Sequence, residues 1–438
     1  METDKITLED LSIFDKDDSF SFFNKLDRCT TSRGKEQLYQ NFNTPLTSIE
    51  EINGIQQTLQ YLISHGESWP VKISNGTIMV IEKFYESAID QIPARVSAFS
   101  ALSYKLFHSY DFSLVKYSAQ HCFDFIKGMQ QLIGQHLHDH TPVPMKMLLE
   151  QVKKIISKEQ FGIVGEHETS AALSTAHVLN FAAFVRYHYK TNMLDLVQLF
   201  ARLDAWHSMA KAVKLYGLSF PEFIHSKEPR LNINGVFHLL LENPVSYDLE
   251  LNQNNSFLFL TGANMAGKST FIKAVGSAVF LAHTGMGVPA TTMQLSFFDG
   301  LLSNINVADN ISRGESYFYN EVQRIKATVT KINDGKKWLI LIDELFKGTN
   351  VQDAMKCSIT VIEGLLKMKN SLFLLSTHLY EIGEELKKYD NIDFKYFETS
   401  VNGEQLQFNY QLRDGISNDR LGYLILKREG VVEMLGRL

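Results

Sequence analysis

The segment TGANMAGKST, residues 261–270, constrains the fold of this chain more than any other feature. From Gly262 to Ser269 it fits the pattern GxxxxGK[ST] of a phosphate-binding loop, between an apolar run at 257–260 and a helical pattern that begins at Phe271. The glycines allow the backbone N–H groups to turn toward an anion, and the next helix points its positive end at the same anion. A chance match is the alternative, but the flanking strand and helix are the context that such a loop requires. The segment therefore predicts nucleotide binding.

The loop supplies most of the predicted contacts to ATP and Mg²⁺, the two cofactors that the pattern implies. Lys268 places a positive charge near the β- and γ-phosphates, Ser269 offers a hydroxyl to the metal, and Asn264 adds a polar contact. The predicted nucleotide-binding residues of the loop are Gly262, Ala263, Asn264, Met265, Ala266, Gly267, Lys268, Ser269 and Thr270.

The second half of the nucleotide site is predicted at WLILIDELFKGTN, residues 338–350. Four apolar residues at 339–342 indicate a strand buried on both faces, which ends in Asp343 and Glu344 at the edge where α/β sheets bind ligands. Asp343 is expected to hold Mg²⁺ through water, and Glu344 to polarise the attacking water as general base. An acidic pair after an apolar run is often only a strand that meets solvent. After a phosphate loop, it predicts a catalytic pair.

A histidine follows a further predicted strand. In STHLYE, residues 376–381, His378 comes just after the apolar run at 372–375, so it is expected at the sheet edge that carries the phosphates. A neutral imidazole there can sense a γ-phosphate. A histidine that merely begins a loop is the alternative interpretation.

A Ser/Gly-rich helix start, ISRGESYFYNEVQRI at 311–325, lies between the phosphate loop and the acidic strand. Ser312, Gly314 and Ser316 stand where backbone N–H groups and hydroxyls could receive another phosphate. Nothing within one chain needs a second phosphate site.

The order of these four motifs resembles the ATP-binding-cassette class, in which the Ser/Gly segment completes the site of an opposing subunit. Within that class the wording is similar to the MutS family of DNA mismatch-repair ATPases. TGANMAGKSTFIKAVG resembles the family's TGPNMxGKSTxxRQ, LIDELFKGTNVQD its MDExGRGTSxxD, GESYFYNEV its GRSTFMVEM, and STHLYEI its ATHYxEL.

The resemblance implies a homodimer with shared ATP sites. It assigns catalytic roles to Glu344, His378 and Lys268, and metal binding to Ser269 and Asp343. From the partner copy would come the Ser316 hydroxyl to the γ-phosphate, with Asp353 linking the two sites. Two departures matter locally: Ala263 replaces the family's proline, and the aromatic residue that stacks on adenine is not in its usual place, which leaves Tyr247 as a substitute.

The first half of the chain is predicted to be helical. Residues 26–62 and 199–213 resemble the start of the MutS core or lever domain and the lever helix that leads into the ATPase. Independently, Ser48 and Glu51 form a capping box after Pro45. Two apolar stripes follow helical periodicity: Ile52, Ile55, Leu59 and Leu62, then Leu196, Leu199, Leu203, Trp206, Ala210 and Val213.

The predicted fold class is α + α/β: an N-terminal all-helical lever/core domain at 1–225, then an ABC-type P-loop NTPase α/β domain at 226–438. The boundary rests on a composition shift at 218–255, where Pro221, Pro229 and alternating apolar residues replace helical periodicity. With 438 residues the chain is long enough for two or three domains with full cores.

Composition indicates an ordinary cytoplasmic protein. Hydrophobic residues make up 45% and charged residues 21% of the chain, and the three cysteines are scattered without metal-ligand spacing. Neither a signal peptide nor an apolar run long enough to span a bilayer is visible, which argues against a membrane partner. A metal site at His136, His138, Asp139 and His140 is the less favoured interpretation of what looks like a polar helix end.

The net charge of −6 is not that of a DNA-coating surface, so any DNA contact must be local or built by a dimer. The Lys-bearing segment 151–158 is a weak candidate. Counterparts of the family's mismatch-reading, connector and clamp domains are not recognisable, so direct mismatch reading of that type is not expected.

Three functions remain open at this stage. The first is a DNA-binding ATPase, a dimeric clamp in mismatch repair or in recognition of distorted or branched DNA. The second is an ATP-gated protein-interaction module that has lost DNA binding and moves a protein partner, such as a repair protein. The third is the ATPase subunit of a transporter or an SMC-like assembly, which the attached helical half and the lack of long heptads disfavour.

Overall fold

The computed structural model describes residues 1–15, 17, 20–66, 69–93, 96–306, 317–402, 405–417, 426–427 and 430–436. The chain divides into two compact units. We call them the helical unit, Leu26–Asn43 with Asn53–Leu215, and the sheet unit, Met1–Lys25 with Thr44–Ile52 and Tyr216–Leu438. The mixture of helices and sheets agrees with the predicted α + α/β class.

The helices of the described residues are, in chain order, α1 (Lys5–Asp10), α2 (Phe22–Leu26), α3 (Ser32–Asn43), α4 (Ile49–His65), α5 (Asn75–Glu86), α6 (Ala98–Phe107), α7 (Ser109–His136), α8 (Val143–Ile156), α9 (Gly162–Glu166), α10 (Thr175–Ala183), α11 (Lys190–Tyr216), α12 (Lys268–His283), α13 (Tyr317–Ile332), α14 (Val351–Leu365), α15 (Glu381–Leu386) and α16 (Val431–Gly436). None of them is long and apolar enough to cross a membrane.

The strands of the described residues all belong to the sheet unit: β1 (Glu222–Ile224), β2 (Leu231–Val236), β3 (Tyr247–Leu251), β4 (Phe257–Thr261), β5 (Thr292–Ser296), β6 (Gly300–Asn304), β7 (Trp338–Asp343), β8 (Ser371–Ser376), β9 (Ile392–Asn402) and β10 (Gln405–Asp414). A small sheet has the order β1-β5-β2-β3, and the main sheet has the order β10-β9-β4-β8-β7-β6.

The main sheet is parallel from β9 to β6, and only β10 runs antiparallel to its neighbour. Every residue of β4, β7 and β8 is buried, as their continuous apolar runs predict for strands covered on both faces. In the register of β7 and β8, Asp343 lies beside Ser376, and Leu260 of β4 lies beside the same serine. The three segments that follow these strands therefore emerge together at one edge of the sheet.

The first residues of the chain join the sheet unit, a placement that the predicted boundary near 225 does not anticipate. Glu2 forms a parallel bridge to Gly300, with its N–H donating to the Asp299 carbonyl at 2.7 Å and its carbonyl accepting from the Leu301 N–H at 2.9 Å. The N-terminal segment thus extends the main sheet beside β6.

Helix α4 begins where the predicted cap places it. The Ser48 hydroxyl accepts the Glu51 N–H at 3.1 Å, but the Glu51 carboxylate reaches back to the N–H and hydroxyl of Thr47, both at 3.0 Å. The reciprocal contact of the predicted capping box therefore falls one residue earlier than expected. The helix ends at His65, one residue before Gly66.

Helix α11 is buried on nearly all sides rather than along a single seam, since even the side chains of Asp204 and Ser208 are inaccessible to solvent. A buried carboxylate needs partners, and Asp204 accepts hydrogen bonds from the Thr30 N–H, the Thr31 N–H and the Thr31 hydroxyl at 2.8–3.1 Å. These groups lie at the start of α3, so Asp204 caps that helix from a distant part of the helical unit.

Candidate nucleotide-binding site

A cavity of about 630 Å³ in the sheet unit opens beside the residues that follow β4 and β7. Eight of the predicted site residues line it: Asn264, Met265, Gly267, Lys268, Ser269, Thr270, Asp343 and Glu344. The remaining lining residues are His238, Leu241, Asn243, Val245, Tyr247, Phe271, Ala274, Lys347 and Tyr410. Residues far apart in sequence thus form one concave surface of the size that a nucleotide needs.

The loop after β4 adopts the conformation that its glycines permit. Gly262 has φ 137° and Gly267 has φ 106°, both in the region that a Cβ disfavours, and Met265 between them also has a positive φ of 68°. The Lys268 ammonium donates to the carbonyls of Gly262 at 2.7 Å and Ala263 at 2.9 Å. Because burial outweighs the nearby carboxylates, the pKa of Lys268 is lowered. Its charge is therefore held inside the loop and away from solvent.

The oxygen groups suited to a magnesium ion lie on the same cavity wall. Ser269 and Asp343 both line the cavity, and the buried Ser376 hydroxyl donates a hydrogen bond to the Asp343 carboxylate. Hydroxyl and carboxylate oxygens are the ligands that Mg²⁺ prefers when it also binds phosphates. The donor set and the positive φ angles of the loop therefore fit Mg²⁺–ATP.

Glu344 is held between two cationic side chains. His378 Nδ1 lies 3.0 Å and Lys347 Nζ 3.2 Å from its carboxylate oxygens. Burial opposes ionisation of Glu344, but the hydrogen bond from His378 and the charge of Lys347 outweigh it and lower the pKa of Glu344 to about 2. In turn, the hydrogen bond to Glu344 raises the pKa of His378.

The backbone at Glu344 is also constrained. Its φ is 66°, which is uncommon for a residue with a Cβ, and its N–H donates to the Ser376 carbonyl at 2.9 Å. Strained residues of this kind persist where the surroundings hold them and are concentrated at functional sites.

Glu321 on α13 is a site residue that the motif analysis missed. Its side chain is only 4% exposed, and its two carboxylate oxygens accept the backbone N–H groups of Lys347 at 3.0 Å and Gly348 at 3.1 Å. A Cβ on Gly348 would come within 2.7 Å of the Phe318 nitrogen, so helix and loop are in close contact. The signal was present in the sequence, since the GESYFYNEV segment contains this glutamate.

Two predicted residues are not placed in the cavity. Asp353 lies in the first turn of α14, where its N–H and carboxylate bond to the side chain of Asn350, and it is exposed. Ser316, together with Ser312 and Gly314, lies outside the described residues.

Aromatic rings line the cavity on the side away from the acidic pair. Tyr247, the candidate for adenine stacking, contacts Phe271 and Phe397 with ring centroids 5.3 and 5.4 Å apart, and burial raises its pKa to about 12. His238 and Tyr410 also line the cavity, although sequence analysis did not identify them. The adenine base therefore has three candidate rings and not one.

Comparison with known proteins gives a consistent result. The family model "MutS domain V" matches residues 258–434. A DNA mismatch repair protein MutS from Thermotoga maritima is 29% identical over 247 residues, which are 56% of this chain and 30% of that protein. Those from Pseudothermotoga lettingae and Petrotoga mobilis are 30% and 27% identical over 52% and 57% of this chain. The matched region corresponds to only 28–31% of the length of these relatives.

Proposed function

This chain belongs to the MutS family, and from that premise we propose that it is a Mg²⁺-dependent ATPase that uses nucleotide binding to control its grip on distorted or branched DNA. One observation carries the ATPase part. Lys268, Asp343 and Glu344 line a single cavity although they come from segments that are separate in sequence. A phosphate-binding charge, a metal ligand and a candidate base thus stand together.

The proposed chemistry assigns one task to each group. Lys268 binds the β- and γ-phosphates, while Ser269 and Asp343 hold the metal, which polarises the phosphate when bound. A carboxylate with a pKa near 2 is a poor proton acceptor, so Glu344 must lose some of its cationic contacts before it can activate water. We infer that His378 exchanges Glu344 for the γ-phosphate when ATP binds. That exchange would raise the basicity of Glu344 only when substrate is present.

A second copy of the chain completes the proposed site. The Ser316 segment has no evident task within its own subunit and would supply a hydroxyl to the γ-phosphate on the partner. Asp353, at the N-terminus of α14, would face the junction between the two sites. The proposed active form is therefore an ATP-bound homodimer.

The charge distribution supports DNA contact by the helical unit. Lys and Arg outnumber Asp and Glu in that unit, whereas the acidic excess of the chain resides in the sheet unit. Because phosphate neutralisation provides most non-specific affinity for DNA, the helical unit is the better candidate to hold it.

Fluorescence anisotropy would test DNA binding with perfect duplex, mismatched duplex, four-way junction and single-stranded DNA, at two salt concentrations, with and without ATP. We expect binding that weakens with salt, changes with ATP and is tightest for one of the non-perfect DNAs. Equal affinity for all four DNAs would contradict recognition of distorted structure. No binding to any of them, by protein that still hydrolyses ATP, would remove DNA from the proposal.

An ATP-gated protein-interaction module is the second candidate, because apolar side chains are exposed on neighbouring helices of the helical unit. Phe99 and Phe107 on α6 and Tyr110 on α7 are 80%, 83% and 81% exposed. Apolar surfaces of this kind often mark protein contacts. Retained ATP hydrolysis without DNA binding would favour this function.

A further inference from the structure

The N-terminal segment contributes a buried carboxylate to the end of strand β6. Asp10 is 2% exposed and accepts three hydrogen bonds, from the Ser303 hydroxyl at 2.5 Å and from the N–H groups of Ile305 and Asn306, each at 3.0 Å. The last two groups lie beyond β6, which ends at Asn304. Asp10 therefore fixes the direction in which the chain leaves the sheet.

Helix α13 is tied to the same place by Arg324. Its guanidinium donates to the Asn304 side chain at 2.6 Å, to the Ser303 carbonyl at 2.6 Å and to the Asp4 carboxylate at 2.7 Å. Asp4 also caps α1 by accepting from the N–H and hydroxyl of Thr7. One network thus joins the N-terminal segment, the end of β6 and α13.

The network is directional and shielded from water. Burial tends to raise the pKa of Asp4, but the hydrogen bonds from Arg324 and Thr7 outweigh it, so the pKa is lowered. The Thr7 hydroxyl also accepts the Ser303 N–H at 2.9 Å. Hydrogen-bonded charges in such surroundings specify position more than they add stability.

The two ends of this network enclose residues 307–316 in the sequence. Asn306, which Asp10 holds, comes directly before that stretch, and α13, which Arg324 holds, begins directly after it at Tyr317. The Ser/Gly motif lies in this interval. Both ends of the interval are therefore fixed by residues 4–10.

We propose that Asp10, acting with Asp4 and Arg324, is a positioning residue for the Ser/Gly segment, and hence for ATP hydrolysis in the opposing subunit. The inference rests on the shared-site dimer proposed above. It goes further by assigning a function in trans to the N-terminal segment. Loss of Asp10 should impair the partner's ATP site while leaving the subunit's own phosphate loop intact.

Subunit complementation tests this directly. Asp10→Ala and Lys268→Ala proteins are each expected to hydrolyse ATP poorly, because each dimer lacks one essential component at both sites. In an equal mixture, mixed dimers pair the intact phosphate loop of the Asp10→Ala copy with the intact Ser/Gly segment of the Lys268→Ala copy. Half of the dimers would be mixed with one working site each, so turnover should recover to about one quarter of wild type.

Three controls keep the outcomes separable. Lys5→Ala changes an 87% exposed side chain of the same segment and should retain wild-type turnover. Thermal unfolding and ATP binding show whether Asp10→Ala is folded, and Arg324→Gln replaces it in the mixture if it is not. A mixture of Ser316→Ala with Lys268→Ala tests the shared site independently of the N-terminal segment.

The result is decided by comparing the two mixtures. Recovery in both supports the inference. Recovery with Ser316→Ala but not with a folded Asp10→Ala or Arg324→Gln protein overturns it and leaves the shared-site dimer standing. Failure of both mixtures rejects the shared site, and the inference with it.

Discussion

The buried carboxylate of Glu321 accepts the backbone N–H of Lys347 at 3.0 Å. Glu321 belongs to the helix that follows the Ser/Gly segment, and the Lys347 side chain reaches the candidate base Glu344. One hydrogen bond therefore links the helix predicted to serve the partner's ATP to the loop that holds the catalytic acid of its own subunit. This direct link is shorter than the one expected through Asp353, whose carboxylate bonds to Asn350.

Replacement of Glu321 by Ala should lower kcat for ATP hydrolysis more than it raises KM. The change removes both acceptors of the loop N–H groups, and each unsatisfied buried N–H costs about 1–3 kcal/mol. Loop position, and with it Lys347 and Glu344, would then no longer be fixed. Steady-state kinetics and thermal unfolding measure the two effects. Glu384→Gln, on the surface, serves as control. Unchanged kcat in a folded Glu321→Ala protein would show that the link does not matter for hydrolysis.

Glu344→Gln should slow hydrolysis by orders of magnitude, on the order of 10²–10⁴-fold, while ATP binding survives. The amide keeps the shape of the side chain but cannot take a proton from water. Single-turnover hydrolysis and equilibrium nucleotide binding separate the two properties. Turnover equal to wild type would exclude Glu344 as the base.

The Glu344→Gln protein should also dimerise when ATP is present, because slow hydrolysis preserves the ATP-bound form. Sedimentation velocity at micromolar protein, with and without ATP, measures this. The double variant with Lys268→Ala is the matched control and should stay monomeric, since it cannot hold the phosphates. If the Glu344→Gln protein with bound ATP sediments only as a monomer, the shared-site dimer is wrong.

Glu344→Gln should lower the pKa of His378. The wild-type pKa is raised above its usual 6.5 by the hydrogen bond to Glu344, against burial and the charges of Lys268 and Lys347. A raised folded-state pKa means that the stabilising contact is fully present below the unfolded pKa and is lost as pH rises through the folded value. NMR titration of the imidazole measures the change. Glu384→Gln should leave the His378 titration as it is in wild type. An unaltered titration in Glu344→Gln would mean that this ion pair does not form in solution.

The sequence predicted those parts of the site that local pattern determines. The phosphate loop and the three buried strands were identified because glycine spacing and continuous apolar runs are local signals. Glu321 and Asp10 were not, because their roles depend on partners 26 to 296 positions away, which no local pattern reveals. The same holds for α11, where burial on nearly all sides replaces the predicted seam.

Asp204 should affect stability of the helical unit strongly and in a pH-dependent way. Asp204→Ala leaves the N–H groups of Thr30 and Thr31 without their acceptor, at about 1–3 kcal/mol each, whereas Asp204→Asn keeps one acceptor and should cost less. Burial raises the pKa of Asp204 despite these hydrogen bonds, so its contribution is greatest below the unfolded pKa of 3.8 and declines as pH rises through the folded value. The stability advantage of wild type over Asp204→Asn should therefore shrink as pH increases from 4 toward 7, as measured by denaturant unfolding. Gly34→Ala provides the matched test of geometry, because its Cβ would lie 2.2 Å from the Asp204 carboxylate, and it should cost less in the Asp204→Ala background. Equal unfolding free energies for Asp204→Ala and Asp204→Asn would contradict the capping role.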